Sequence, residues 1–163
     1  MRRLWPILVV IGVLVTACSG ASDLSVEIVE LADRATEEYT FVASGEAVDG
    51  GVLCASGSWV WTGNRDTDGD PMPDAAIGAM FDEGEPFTMV VGHDYTCDDG
   101  SGSFTVDTYV ELDPNVDPPD VGGTWEIPGG TDGYASITGS GDVAEEDNPS
   151  LDQATYVGTV SDS

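Results

Sequence analysis

Hydrophobic and polar residues alternate along two stretches in the second half of the chain. In residues 104–112, the even positions hold Phe, Val, Thr, Val and Leu, while the odd positions are mostly polar. Residues 88–97 alternate in the same way, and one face of that stretch carries Met89, Val91, His93, Tyr95 and Cys97. Because successive side chains of a strand point to opposite faces, this period of two predicts two half-buried β-strands.

Shorter runs of the same kind predict a protein built from β-strands. The runs are separated by Gly-Gly, Asp-Gly, Gly-Ser-Gly and Pro-Pro, which favour turns. An all-β domain of seven or eight short strands is a sandwich or a barrel, and we favour a closed antiparallel barrel of about eight strands, which has no exposed edge. We expect one domain over residues 25–163. The further predicted strands are residues 25–31, where a helix also fits, and 39–48, 58–62, 124–127, 135–138 and 155–160.

An apolar run near the amino terminus has the length of a signal-peptide core. Residues 4–15 follow two arginines and are too few to span a bilayer. The run ends in Val15-Thr16-Ala17-Cys18, which resembles the lipobox of bacterial lipoproteins. The resemblance implies cleavage before Cys18 and its acylation, and two or more acyl chains anchor stably. We expect a signal peptide at residues 1–17, an acylated tether at residues 18–24 and attachment to the extracytoplasmic side of a bacterial membrane; a secretory signal cut after Ala21 is the alternative.

The chain is strongly acidic, with 31 acidic residues against four basic ones. Removal of Arg2 and Arg3 with the signal peptide leaves a side-chain charge of 2 − 31 = −29. Such a surface repels nucleic acid and anionic lipid headgroups. We therefore expect no nucleic-acid partner, and contact with the membrane through the amino-terminal lipid alone.

Two cysteines remain once Cys18 is assigned to the anchor. An even pair in an exported protein predicts a disulfide between Cys54 and Cys97. The bond would close a loop of 97 − 54 + 1 = 44 residues. A metal site is disfavoured, because only His93 is available nearby as a third ligand.

Glycine-rich stretches in the second half carry a resemblance to a known superfamily. Residues 97–106 read CDDGSGSFTV, residues 122–127 GGTWEI, residues 129–135 GGTDGYA and residues 138–141 TGSG. Over residues 97–143 they resemble the allene oxide cyclase and dirigent barrels, which implies an eight-stranded antiparallel barrel around a cavity. Plant members cyclise an epoxide or direct radical coupling, and none of their functional residues is matched here. We interpret Gly139-Ser140-Gly141 as a turn and not as a phosphate-binding loop, since Asp142 follows it.

Few residues offer catalytic chemistry. His93 is the single histidine of the chain, and no Gly-x-Ser-x-Gly elbow accompanies it. If its face lines a barrel, His93 and Tyr95 are polar groups in an apolar interior, where a hydrogen-bonded structural histidine is favoured over a catalytic one. If the barrel is an enzyme, the candidate catalytic residues are His93, Tyr95 and Glu111.

Residues 65–74 read RDTDGDPMPD and resemble the calcium loops of thrombospondin type 3 repeats and related bacterial proteins. Pro71 stands where the sharp turn needs glycine, and Ile77 stands where a bidentate carboxylate is needed. An acidic turn between two strands is therefore favoured, with weak Ca²⁺ binding as the alternative, and no other cofactor is predicted. The aspartates that match the calcium pattern are Asp66, Asp68, Asp70 and Asp74.

Two main functions are consistent with these observations. We favour a lipid-anchored exported barrel that binds a small apolar ligand or a surface partner without catalysis. A cyclase or isomerase that uses the barrel cavity is the alternative, and a calcium-stabilised adhesion module is weaker. Three tryptophans bear on the choice, because they either fill the core, which is favoured, or form a wall on which an apolar ligand stacks: Trp59, Trp61 and Trp125.

Overall fold

The protein folds as a closed β-barrel, which confirms the predicted fold class. The computed structural model describes residues 22–33, 36–115, 122–146 and 152–162. In these residues eight antiparallel strands pair in chain order, and the last pairs with the first. The strands are β1 (Leu24–Asp33), β2 (Glu38–Ser44), β3 (Ser56–Arg65), β4 (Phe87–Cys97), β5 (Gly102–Leu112), β6 (Gly122–Asp132), β7 (Ile137–Glu146) and β8 (Asp152–Asp162).

The interior is filled by the apolar half of each alternating pattern. On β1, Val26 and Ile28 are buried while Glu27 between them is exposed, so the first segment is a strand and not a helix. Ile28 is paired with Ala43 of β2 on one side and with Tyr156 of β8 on the other. The same alternation buries Phe104, Val106, Thr108, Val110 and Leu112 on β5.

A short helix covers one end of the barrel. Helix α1 (Glu46–Asp49) follows β2, and its Ala47 is fully buried against the core. The strand expected over residues 39–48 is therefore wrong beyond Ser44. The strand ends there because Gly45 has a φ of 109°, and a Cβ at this position would lie 2.6 Å from the Ser25 carbonyl oxygen.

The predicted disulfide lies at this covered end, where it joins the segment after α1 to β4. Cys54, in the segment after α1, is bonded to Cys97 at the end of β4, with 6.0 Å between the two Cα atoms. Both cysteines are buried, and the hydroxyl of Tyr134 lies 3.4 Å from Sγ of Cys97. The disulfide prediction is confirmed, and the bond fixes the segment after α1 to the barrel wall.

Towards the opposite end, β2 and β3 are paired over only part of their length in the described residues. In the described residues these strands pair only at residues 40–42 with 56–58, whereas β3 continues along β4 as far as Arg65. Beyond Ser58, β3 is not paired with β2 in the described residues, and Trp61 is 55% exposed. We call the neighbouring side chains of Trp59, Trp61 and His93 at this end of the barrel the mouth.

The β3–β4 connection holds a helix that was not predicted from the sequence. Helix α2 (Asp74–Glu83) begins after Pro73, whose backbone is extended, and ends at Gly84, which takes the left-handed conformation. The Phe81 ring contacts Phe87 at the start of β4, with 5.4 Å between centroids. No residue of α2 is fully buried. The sequence therefore has no clear apolar face that would predict this helix.

The Gly139-Ser140-Gly141 segment lies inside β7, so the expected turn at this position is wrong. Gly141 is paired with Gly158 of β8, and together they make room for the indole of Trp125. A Cβ on Gly141 would lie 2.8 Å from Nε1 of Trp125, and one on Gly158 would lie 2.7 Å from its ring. Trp125 is fully enclosed and donates a 3.3 Å hydrogen bond to the Val157 carbonyl. Its role is therefore in the core.

Candidate functional site

Four polar side chains from three strands meet inside the barrel. We call them the interior cluster: Glu30 of β1, His93 and Tyr95 of β4, and Tyr156 of β8. Oε1 of Glu30 lies 2.9 Å from Nδ1 of His93, and Tyr95 donates a hydrogen bond to the same oxygen. Tyr156 donates a 3.2 Å hydrogen bond to Oε2. Three donors from two other strands thus converge on one carboxylate of β1.

These donors explain why a carboxylate is tolerated in the interior. Glu30 is 4% exposed, and an isolated charge at this depth would be strongly unfavourable. Burial, followed by the neighbouring Glu30 charge, raises the pKa of Tyr95 well above its ordinary value. The same two causes raise the pKa of Tyr156. Both hydroxyls therefore keep their protons at neutral pH and remain donors to Glu30.

The two ring nitrogens of His93 have different surroundings. Nδ1 is held by Glu30 and lies 3.5 Å from the Tyr156 hydroxyl, whereas Nε2 has no partner among the described residues. In the same residues every fully buried side-chain nitrogen or oxygen has a hydrogen-bond partner. Nε2 is therefore reached by solvent, in agreement with the 12% exposure of the His93 side chain. Because a carboxylate only accepts, the contact with Glu30 favours the neutral tautomer that carries its proton on Nδ1, and in that tautomer Nε2 is an acceptor.

The Trp59 indole packs beside the His93 ring. Its ring centroid lies 4.7 Å from that of His93, with 42° between the planes. Nε1 of Trp59 donates a 3.1 Å hydrogen bond to the Thr40 carbonyl, and the Tyr39 ring packs edge-on against the indole at 5.0 Å. These contacts hold the indole in one orientation at the mouth, while Trp61 lies further out in solvent.

On the inner face of β4, burial decreases from the covered end towards the mouth. Cys97 and Tyr95 are buried on its inner face, whereas His93, Val91 and Met89 on the same face are only partly buried. On β3, Gly57 is buried, Trp59 is partly buried and Trp61 is exposed. The interior cluster thus lies below the mouth, and His93 is its member nearest to solvent.

The structure brings two of the three candidate catalytic residues together. His93 and Tyr95 meet at a carboxylate, but that carboxylate belongs to Glu30. Glu111 is paired with Thr88 on the outer face and is exposed. Glu30 carried a sequence signal, since Ile28 and Ala32 two positions away on either side are apolar. Because residues 25–31 fit both a strand and a helix, the sequence alone did not assign Glu30 to the inward face.

The aspartate-rich segment lies in the β3–β4 connection, inside the disulfide-closed loop. Oδ1 of Asp66 accepts hydrogen bonds from the backbone N–H groups of Asp68 and Asp70, at 3.0 and 2.9 Å, and Asp74 begins α2. Over the ranges that the structure describes, no three acidic, histidine or cysteine side chains are grouped to hold a metal ion. Calcium binding here stays a prediction, which calorimetric titration of the wild type and Asp68→Asn would test.

The only lysine or arginine side chain within the described ranges is on the outer face of the barrel. Arg65 pairs with Asp107, which lies opposite Gly92 on the neighbouring strand. Next to this pair Tyr109 donates a hydrogen bond to Glu126, which raises the pKa of Tyr109 to about 12. Since Arg65 is already paired there, the described part of the mouth has no lysine or arginine that would attract an anionic ligand.

Comparison of this chain with protein-family models, curated proteins and solved structures finds no match. Neither of the two helices in the described residues is long and apolar enough to cross a bilayer.

Proposed function

We propose that the protein is an exported, lipid-anchored barrel that binds a small, uncharged, planar ligand at its mouth. The observation that carries this proposal is the pairing of the Trp59 indole with His93, whose Nε2 has no partner among the described residues and is reached by solvent. An aromatic wall beside one oriented polar atom is a common arrangement in small-molecule sites.

The two groups select for different parts of a ligand. The indole face of Trp59 favours a flat apolar body, because stacking adds to the burial of apolar area. Nε2 of His93 favours a hydroxyl or N–H at the edge of that body, because it accepts a hydrogen bond. The side-chain charge of 2 − 31 = −29 that remains after removal of the signal peptide disfavours anionic ligands by long-range repulsion.

The proposed location depends on the first 24 residues, of which 1–21 lie outside the described part of the chain. The Val15-Thr16-Ala17-Cys18 pattern supports an acyl anchor on the extracytoplasmic side of a bacterial membrane. The acidic body disfavours contact with anionic headgroups and with nucleic acid. The likeness to allene oxide cyclase and dirigent barrels supports the fold and adds no activity to this proposal.

Calorimetric titration with a matched pair of probes tests the proposal. We expect 4-ethylphenol to bind saturably and 4-ethylbenzoate, which has a similar shape and a negative charge, to bind at least tenfold more weakly. Trp59→Ala should weaken 4-ethylphenol binding by about 3- to 10-fold, the range expected for loss of one aromatic contact. Val157→Ala, on the outer face of β8, should leave it unchanged. Equal binding of the two probes, or no effect of Trp59→Ala, would contradict the proposal.

A further inference from the structure

We infer that the Glu30–His93 pair is a general base that removes a proton from carbon in a neutral planar substrate held against Trp59. This inference adds an activity to the binding site proposed above and rests on that site. The reaction class is isomerisation or elimination by proton transfer.

Glu30 gives His93 the orientation that a base requires. The 2.9 Å contact between Oε1 and Nδ1 fixes both the ring plane and the tautomer. The lone pair of Nε2 then points away from the carboxylate, on the side of the ring that solvent reaches. Catalytic histidines in other folds are oriented in this way by a buried carboxylate. Glu30 is thus a positioning residue, and His93 is the catalytic residue.

The rest of the interior cluster is protected from the substrate. The hydroxyls of Tyr95 and Tyr156 are committed to Glu30, and both side chains are buried. Oε1 and Oε2 of Glu30 accept all three donors and are themselves enclosed. Nε2 of His93 is therefore the one acceptor of the cluster that a bound molecule reaches.

The proton transfer balances without a co-reactant. Nε2 takes the proton from a C–H bond, and the electron pair of that bond forms a new π-bond in the substrate. In an isomerisation the imidazolium returns the proton to a different atom of the same molecule. In an elimination the electron pair expels a leaving group, and the imidazolium passes the proton to water. In both cases His93 is regenerated and no oxidation or reduction occurs.

The ring opening of 5-nitrobenzisoxazole provides a direct test with a neutral, planar probe. A base removes the proton on C3, the N–O bond breaks, and a coloured cyanophenolate is released. The chain has one histidine and no lysine, so His93→Gln removes its only imidazole and leaves every surface carboxylate in place. We expect saturable turnover that is at least about 100-fold faster in the wild type than in His93→Gln, as is typical of a positioned base.

Glu30→Gln separates positioning from folding. The amide nitrogen would donate to Nδ1 and move the ring proton to Nε2, so we expect kcat to fall at least about tenfold. KM should change less than about twofold, because Trp59 still holds the probe. Glu27→Gln, on the exposed face of the same strand, is the matched control and should match the wild type. Circular dichroism at equal temperature checks that each variant is folded.

The outcomes distinguish this inference from the proposed binding function. Equal turnover by the wild type and folded His93→Gln overturns the general base. If 4-ethylphenol still binds in that case and Trp59→Ala weakens it, the binding function stands alone. Saturable turnover that needs His93 but is the same in Glu30→Gln overturns the positioning role.

Discussion

Nδ1 of His93 lies 2.9 Å from Oε1 of Glu30, although 93 − 30 = 63 residues separate them in the chain. Barrel closure produces this contact. Glu30 is on β1 and His93 on β4, so two strands intervene, and the side chains meet only because both point inward. The chemistry of the mouth therefore depends on the stability of the interior cluster.

Loss of the Tyr95 hydroxyl should destabilise the barrel. In Tyr95→Phe the buried Glu30 carboxylate loses one of its three donors, and we expect the free energy of unfolding to fall by about 1–3 kcal/mol. Urea denaturation measures the change. Tyr39→Phe is the control, because Tyr39 is 38% exposed, and its effect should stay within about 0.5 kcal/mol. Equal effects of the two substitutions would show that the Tyr95–Glu30 hydrogen bond adds nothing to stability.

Stability should also fall at alkaline pH. Tyrosine in an unfolded chain titrates near pH 10, whereas Tyr95 and Tyr156 have raised pKa values in the folded state. Above about pH 10 the unfolded chain binds fewer protons than the folded chain, so the free energy of unfolding decreases as pH rises. Denaturation between about pH 8 and 11 should give a steeper decline for the wild type than for the double variant Tyr95→Phe, Tyr156→Phe. Parallel declines would contradict the assignment.

The disulfide should contribute measurably to stability. It joins residues 43 positions apart, and the chain-entropy model gives about 4 kcal/mol for a loop of this size. We expect a reductant to lower the guanidinium denaturation midpoint of the wild type. The double variant Cys54→Ser, Cys97→Ser should have the lower midpoint already and should not respond to reductant. If reductant also lowered the denaturation midpoint of the double variant, the effect on the wild type would not come from the Cys54–Cys97 bond.

The anchor is tested on the mature amino terminus. We expect mass spectrometry of protein from the native host to show a chain that starts at a multiply acylated Cys18. Cys18→Ser should release the protein from the membrane fraction, because the acyl chains are its only proposed attachment. An unmodified chain that starts at Ser22 would contradict the lipoprotein interpretation.

The barrel and the disulfide were predictable because both leave local signals. Period-two alternation in residues 104–112 reports burial on one face, and an even number of exported cysteines indicates a bond. Helix α2 left little signal, since none of its residues is fully buried and so no apolar face had to form. The need for glycine at positions 141 and 158 could not be predicted for another reason. It comes from the indole of Trp125, which lies beside Gly141 and Gly158 only in the folded barrel.

The interior cluster could be predicted only in part. Alternation placed His93 and Tyr95 on one inward face, which the structure shows. The identity of their carboxylate partner depends on the β1–β8 closure and on strand register. Neither can be predicted from a local sequence pattern. With 31 acidic residues in the chain, composition could not select Glu30.

The most direct test of the mouth site is the ¹⁵N NMR spectrum of the His93 imidazole, which is the single histidine signal of the protein. With the imidazole in its neutral form, we predict a protonated Nδ1 and an unprotonated Nε2. On addition of 4-ethylphenol, the Nε2 resonance should move as that atom accepts a hydrogen bond, while Nδ1 should stay on Glu30 and move little. A proton on Nε2, or an Nε2 resonance that saturating 4-ethylphenol does not move, would contradict the account.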